Sequence, residues 1–345
     1  MIETNIFCHA PKELTTDAFI TWLLYFLDSD AKYNEEKQFV FDNLLLKPED
    51  AGRQVKVIKV ERQCTGSQGR PDILLHFCFL NDINVTQTIL FENKTWTTTS
   101  HNQLDKYRAY KPNAYRYIYL KLAYINHYEM KLAKDCMYDI ISSHDLAKIV
   151  GNDMINKLNP IIEQYIEYIN HSFVNFINNI NEILFNQNQF YILDNGQAQQ
   201  YLIDILYREL DGKLGKISFK VGSSFGRPWT QLVISEKPNI YGDKTEEVFW
   251  RIDYRSDKYY IRLNQYSDIS DDYKINKLER LSEMRKIAND IVKEYPLVKT
   301  GSILDKGIKE SEILIFFLKD NNLKELLRVL PEFSMKFNEM YEKNL

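Results

Sequence analysis

The chain is poor in the residues that assign a protein quickly. Glycine (12) and proline (9) are scarce among its 345 residues, which excludes collagen-like and linker-rich architectures. Cysteine is limited to positions 8, 64, 78 and 136, with no Cys-x-x-Cys pair. A disulfide scaffold is excluded at this length, a zinc site is not expected, and a reducing, cytoplasmic setting is the expectation. The longest apolar runs, Ile20 to Leu27 and Ile313 to Leu318, fall far short of the roughly 20 residues that cross a bilayer. The start, MIETNIFCHAPKELTTD, has no basic segment leading into an apolar one, so no signal peptide is expected. A large excess of one charge is also missing. Lys and Arg number 44 against 48 Asp and Glu, a net −4, which argues against a protein that coats nucleic acid over its whole surface.

What is present is a folding composition. Hydrophobic residues make up 44% and aromatic residues 13%, enough for large cores and, at this length, for two domains. The first 48 residues read as helical. Leu14, Ala18, Trp22 and Phe26, with Leu23 and Leu27, recur at helical spacing, and Thr15, Thr16 and Asp17 offer capping oxygens. A second helix is expected over 35–46, ending before Pro48. Strands are expected at 55–63, 71–80, 86–95 and 114–123, with a helix over 100–110. Several of these runs are too apolar for simple alternation, which points to strands covered on both faces and an α/β sandwich.

A long amphipathic helix over 160–185 carries Ile162, Tyr165, Ile166, Ile169, Phe173, Phe176, Ile177, Ile180 and Leu184. The polar run Asn186-Gln187-Asn188-Gln189 marks the expected boundary, giving domains 1–186 and 187–345. The second is read as an α+β module for targeting or oligomerisation, and a homo-oligomer is among the expectations. It should hold a helix over 198–210, two or three strands (217–221, 230–235, 248–263), a helix over 272–294 and helical segments beyond.

Charge is uneven. Residues 51–121 hold eleven Lys or Arg against five Asp or Glu, in a chain that is acidic as a whole. A local anionic ligand fits that pattern; solvated strand edges, where lysine discourages aggregation, fit it too.

Inside this segment stand Pro71-Asp72 and, twenty residues after Asp72, Glu92-Asn93-Lys94. Glu92 and Lys94 are two apart on a strand and share a face. Asn93 points away, though its neighbouring backbone carbonyls remain within reach of a metal. If 72–79 and 88–95 form a hairpin, residues whose numbers sum to 164 lie opposite one another, the turn falls in Asn81-Asp82-Ile83-Asn84, and Asp72 faces Glu92. Two carboxylates and an ammonium would then converge. Carboxylate oxygens bind Mg²⁺, the ion activates water, and a neighbouring lysine orients that water or stabilises developing charge.

Pro71-Asp72 with Glu92-Asn93-Lys94 resembles the signature of the PD-(D/E)XK nuclease superfamily, and the helix–strand–strand–strand–helix–strand order is similar to its restriction-endonuclease-like core, a mixed sheet flanked by helices. Gln103-Leu104-Asp105-Lys106-Tyr107 matches the Gln-x-x-x-Tyr motif of the RecB-like branch; Gln103 and Tyr107 are i and i+4 and share a helix face. The resemblance covers residues 10–125. It implies a Mg²⁺-dependent phosphodiesterase, with Mn²⁺ as a substitute, acting on nucleic acid, DNA before RNA, as an endonuclease in defence or repair. Asp72, Glu92, Lys94, Gln103 and Tyr107 would be catalytic, with Asp72, Glu92, Asn93 and Glu13 at the metal; Glu61 is the rival to Glu13. The alternative is a non-catalytic nucleic-acid-binding or assembly module on the same fold.

Other candidates carry less. His76 reads as a satisfied strand residue, and His101 lies on a different helix face from Gln103. The hydroxyls of 95–100 suit phosphates or helix capping equally. Downstream, Arg227-Pro228-Trp229, Trp250-Arg251, Arg255, Tyr259, Tyr260 and Arg262 interleave aromatic and basic residues, a pattern suited to stacking on bases. Residues 217–265 hold eight basic and six acidic side chains, so ordinary strand packing is the first reading there.

Overall fold

The computed structural model describes residues 5–9, 12–63, 70–224, 226–269, 271–304 and 309–344. They divide into two compact units, one running to Ile125 with Glu129–Asn178, the other comprising Asn126–Tyr128 and the chain from Asn179 onward. The division falls inside the helical run after residue 160, ahead of the polar stretch at 186–189.

The first unit is α/β. Helix α1 (Lys12–Asp28) and helix α2 (Asn34–Val40) lead into strands β1 (Val55–Arg62), β2 (Ile73–Phe79) and β3 (Asp82–Lys94). Helix α3 (His101–Tyr110) connects to β4 (Arg116–Lys121), and α4 (His127–Asp135) to β5 (Asp139–Ser142). The five strands form one sheet in the order β1-β2-β3-β4-β5. The β1, β2 and β3 pairings are antiparallel, and β4 and β5 add in parallel. This is the mixed sheet expected; β5 was not anticipated, its four residues being too few to leave a periodic signal.

The pairing register follows the same logic. From Ile73↔Phe91 to Phe77↔Gln87, partners sum to 164 as the hairpin reading requires. A bulge then shifts the register to Phe79↔Asp82, so the turn is tighter than expected and sits at Leu80-Asn81. Between those rungs β2 has Cys78 alone and β3 has residues 83–86, a three-residue offset that leaves the pairing at the Ile73 end unchanged.

Alternation along β3 sorts its side chains. Ile89 and Phe91 join Phe19, Leu23, Ile162 and Tyr165 in one apolar cluster on the α1 face. There Phe19 stacks on Tyr165 with ring centroids 3.6 Å apart. Burying each such side chain contributes about 1.5–3 kcal/mol. Thr15, Thr16 and Asp17 do not cap the helix: α1 begins at Lys12, and all three are buried inside it.

Helices α5 (Ser143–Val150), α6 (Asp153–Asn156), α7 (Pro160–Ile169) and α8 (Asn175–Asn181) follow. The run from 160 is interrupted by single π-turns at Asn170–Val174 and Glu182–Asn186. Each inserts one residue into the helical repeat, which keeps Phe173, Ile180 and Leu184 on the buried side.

The second unit holds α9 (Gly196–Leu210), then β6 (Ser218–Ser224), β7 (Arg227–Tyr241), β8 (Lys244–Arg255) and β9 (Lys258–Tyr266). Helix α10 (Lys274–Val292), β10 (Glu310–Phe317) and α11 (Leu323–Asn344) complete it. Its strands form an antiparallel sheet in the order β10-β9-β8-β7-β6. Two expectations are corrected here. The single strand over 248–263 is two, because Ser256 and Asp257, both at positive φ, make a two-residue hairpin turn. Ile313 to Leu318, taken with the helical C-terminus, supplies an edge strand instead. Among the described residues no helix is long and apolar enough to cross a membrane.

Candidate active site

The site is built at the end of the β2–β3 hairpin. Asp72 lies one residue beyond the last paired rung, Ile73↔Phe91. Its Oδ2 accepts the backbone N–H of Asn93 at 2.8 Å, so the carboxylate itself continues the ladder past the strand. Glu92 and Lys94 project together onto the α3 face, beside Tyr119 and Lys121 of β4, their parallel partners.

Glu92 is fully buried. Its Oε1 accepts from Lys94 Nζ at 2.6 Å and from Gln103 Nε2 at 2.7 Å. The Gln103 amide also donates to the Tyr107 hydroxyl at 3.2 Å and accepts at Oε1 from Thr99 Oγ1 at 3.2 Å. Ser100 caps α3 by accepting the Gln103 N–H, which sets the first turn so that residues 103 and 107 share the face over Glu92. The structure therefore brings Asp72, Glu92, Lys94, Gln103 and Tyr107 together.

The electrostatics are unusual for a buried site. Burial and the neighbouring Asp72 charge push Glu92 up to about 8, Lys94 only partly opposing them. Burial also raises Asp72, against the Asn93 hydrogen bond and the Lys94 charge. The two carboxyl groups stand side by side, and the Asp72 charge adds to burial in disfavouring ionisation of Glu92. Burial works against the Lys94 ammonium, but Glu92 outweighs it and holds Lys94 above the usual lysine range.

On the other side of the sheet, the Asn93 amide donates to Asp17 Oδ1 at 3.0 Å and to the Glu13 carbonyl at 3.2 Å. Burial and Asp72 push Asp17 up to about 7. The Glu13 carboxylate accepts from the Thr95 N–H at 3.3 Å and the Thr97 hydroxyl at 3.2 Å. Glu61 stands apart, ion-paired with Lys59 at 3.1 Å and bonded to His76 at 3.0 Å, while the other His76 nitrogen meets Thr88. The His101 side chain lies outside the described residues.

Sequence reasoning missed Asp17 as part of this cluster, although Glu13 and Asp17 are i and i+4 on one helix. It also missed a fully buried ion pair. Lys121 Nζ meets Glu129 at 3.2 Å and donates to the Thr97 carbonyl at 2.5 Å, and the Tyr119 hydroxyl donates to Glu129. Lys121 thereby ties down the loop whose hydroxyls hold Glu13 and Gln103.

A divalent cation suits these residues. The donors are oxygens, Glu92 Oε2 is buried without a partner, and so is Asn93 Oδ1. Asp72 and Glu92, both raised, share the Lys94 ammonium, and Asp17, also raised, stands beside Asp72 with Arg62 as its opposing cation. Among the described residues no three His, Cys, Asp or Glu side chains form a closed metal cage. The oxygen donors suit the mode typical of Mg²⁺, which uses one or two carboxylates with water and phosphate as its other ligands.

No protein-family model, no curated protein and no solved structure matches the chain.

Proposed function

We propose that the first unit is a Mg²⁺-dependent nuclease of the PD-(D/E)XK kind that hydrolyses phosphodiester bonds in nucleic acid, DNA before RNA. The observation that carries the reading is Glu92. It is a fully buried carboxyl group with one oxygen unpartnered, beside a second carboxyl group and flanked by a lysine. Ionised with no further cation, Glu92 and Asp72 together would leave buried negative charge that Lys94 alone does not balance, which is costly.

Asp72 and Glu92 would hold the ion, with Glu13 and the Asn93 backbone nearest to complete its shell. When bound, such an ion polarises the phosphate and makes a coordinated water more acidic. The chain's own groups do the rest. Lys94, held at Glu92 Oε1, presents an ammonium that orients the attacking water and stabilises charge growing on the phosphate. The Gln103 amide occupies the same Oε1 and so leaves Oε2 free. Tyr107 supports Gln103. The Asn93 N–H keeps Asp72 aimed at the same end of the hairpin. Eleven basic residues against five acidic ones in 51–121 supply local attraction for a polyanion.

The test is incubation of the full chain with closed-circular and linear, single- and double-stranded DNA, and with RNA, in Mg²⁺, Mn²⁺ or EDTA, beside calorimetry of metal binding. Nicking of a closed circle only with metal is the expected result and identifies an endonuclease. Absence of both metal binding and cleavage overturns the proposal; metal-free nucleic-acid binding alone would leave the assembly-module reading.

A further inference from the structure

The second unit contains a cavity that the catalytic reading does not use. It has a volume of about 180 Å³ and is lined by Trp229, Tyr254 and Tyr259, with Gln199 and Arg227. It shares Asp194, Tyr254 and Tyr259 with an adjoining open cleft of about 830 Å³ that reaches Lys258 and Lys319.

Three features indicate its occupant. The first is aromatic. Trp229 lies so close across β6 that a Cβ on Gly222 would fall 2.3 Å from its indole. Tyr254 and Tyr259 flank the Ser256-Asp257 turn with ring centroids 4.7 Å apart. These rings form walls on which a planar heterocycle stacks.

The second is an unused acceptor. Gln199 is 5% exposed, and its Nε2 donates to the carbonyls of Leu193 at 2.8 Å and Pro228 at 3.1 Å. Two carbonyl acceptors on that side fix which end of the amide is NH₂. Oε1 is therefore the remaining group, buried and without a hydrogen-bond partner. It calls for an N–H donor.

The third is charge. The carboxylates of the lining are already engaged. Asp194 lies against Tyr259, whose hydroxyl its charge holds protonated, Asp257 accepts from Tyr254 at 2.8 Å, and Asp253 is held by Arg251 and Arg262. Arg227, exposed and 4.8 Å over the Tyr254 ring, and Lys319 have no ion pair among the described residues. A neutral sugar would stack on the rings but leave both cations unused; an anion bearing a flat N–H heterocycle engages all three features.

We infer that this cavity is a nucleotide-binding pocket, which stacks a nucleobase against Trp229, Tyr254 and Tyr259, takes a base N–H on Gln199 Oε1 and places phosphate toward Arg227 and Lys319. The base belongs to a single strand or to a free nucleotide, since a paired base has its N–H edge occupied.

The experiment uses the full chain in EDTA, so that no cleavage intervenes. Fluorescence anisotropy compares dA12, dC12 and dT12 with an abasic twelve-mer of equal charge, and dAMP, dCMP and dTMP serve as competitors. At least one base-bearing oligomer should bind about ten-fold or more tightly than the abasic one. The Arg227→Ala/Tyr254→Leu variant, altered at the cavity mouth, should lose that advantage with an unchanged melt. Gln199→Met should weaken base-dependent binding, while Glu92→Ala should leave it intact, which separates this pocket from the proposed nuclease site. Competition by a mononucleotide at matching affinity identifies a free nucleotide as ligand; competition only by oligomers identifies a strand. Equal binding of abasic and base-bearing oligomers together with no mononucleotide binding, or unchanged binding by a folded Arg227→Ala/Tyr254→Leu protein, overturns the inference.

Discussion

Glu92 and Glu246 are both fully buried glutamates on sheet strands, one in each unit, and their environments drive them in opposite directions. Burial pushes Glu246 up, but Arg280, Tyr241, Tyr341 and Gln265 outweigh it and hold its carboxyl below the usual range. Arg280 donates to Oε1 at 2.7 Å, Tyr341 reaches the same oxygen at 2.5 Å, and Tyr241 and Gln265 reach Oε2 at 2.5 Å. Glu92 has Lys94 and Gln103 on one oxygen, none on the other, and a second carboxyl group beside it. Glu246 is satisfied from every side, whereas Glu92 keeps one oxygen without a hydrogen-bond partner. The contrast, more than burial itself, marks the first sheet as the place to look for a reaction.

Breaking the satisfied glutamate should have the largest effect on the fold. Glu246→Ala leaves the half-buried Arg280 without its carboxylate and should cost about 3–5 kcal/mol, read as a lowered urea midpoint; Glu92→Ala should cost far less. Equal losses in the two variants would erase the distinction.

Next comes cleavage. Asp72→Ala, Glu92→Ala and Lys94→Ala should each reduce it by on the order of 100-fold or more, about 2.7 kcal/mol of barrier. The first two should also weaken Mg²⁺ binding in calorimetry, and the lysine variant should largely spare it. Near-normal cutting by a folded Glu92→Ala protein would remove the proposed role.

A smaller effect is the pH dependence of stability without metal. The folded protein holds the Glu92 proton more tightly than the unfolded chain does. The stabilisation is thus complete below the ordinary value of 4.5 and is lost as pH rises through about 8. Glu92→Gln has no proton to lose, so its melting temperature should gain on the wild type from pH 5 to pH 8 in EDTA. Saturating Mg²⁺ should close that gap. A difference independent of pH would show that Glu92 is satisfied after all.

The smallest expected change is at Gln103. Gln103→Ala should lower activity with little change in melting, because a half-buried amide adds little to the core. Tyr107, buried on the same helix face, should cost stability when cut to Ala. A silent Gln103→Ala would reduce the pair to helix packing.

Legibility followed the range of the interactions involved. The hairpin register could be read because side-chain alternation and turn position are local, and the opposition of residues 72 and 92 extends the pairs observed from Ile73↔Phe91. The strand read over 248–263 failed for want of a strong turn signal: Ser256-Asp257 lacks the glycine that usually announces a hairpin, yet both residues adopt positive φ. Asp17 looked like a cap because Thr-Thr-Asp is capping chemistry in any short window, and only its meeting with Asn93, 76 residues away, gives it another role.

Periodicity and motif spacing were sufficient for the α/β core, the order of its early elements and the grouping of Asp72, Glu92 and Lys94, since these depend on alternation along one hairpin. Packing across the sheet decided the rest. It turned Glu92 and Glu246, indistinguishable as glutamates on apolar strands, into one carboxyl held up near 8 and another held below its usual range. It also placed Lys121 under the Thr97 loop and left Gln199 with an open acceptor. Those outcomes depend on which distant groups reach a buried atom, and on how much water they exclude, which no local pattern encodes.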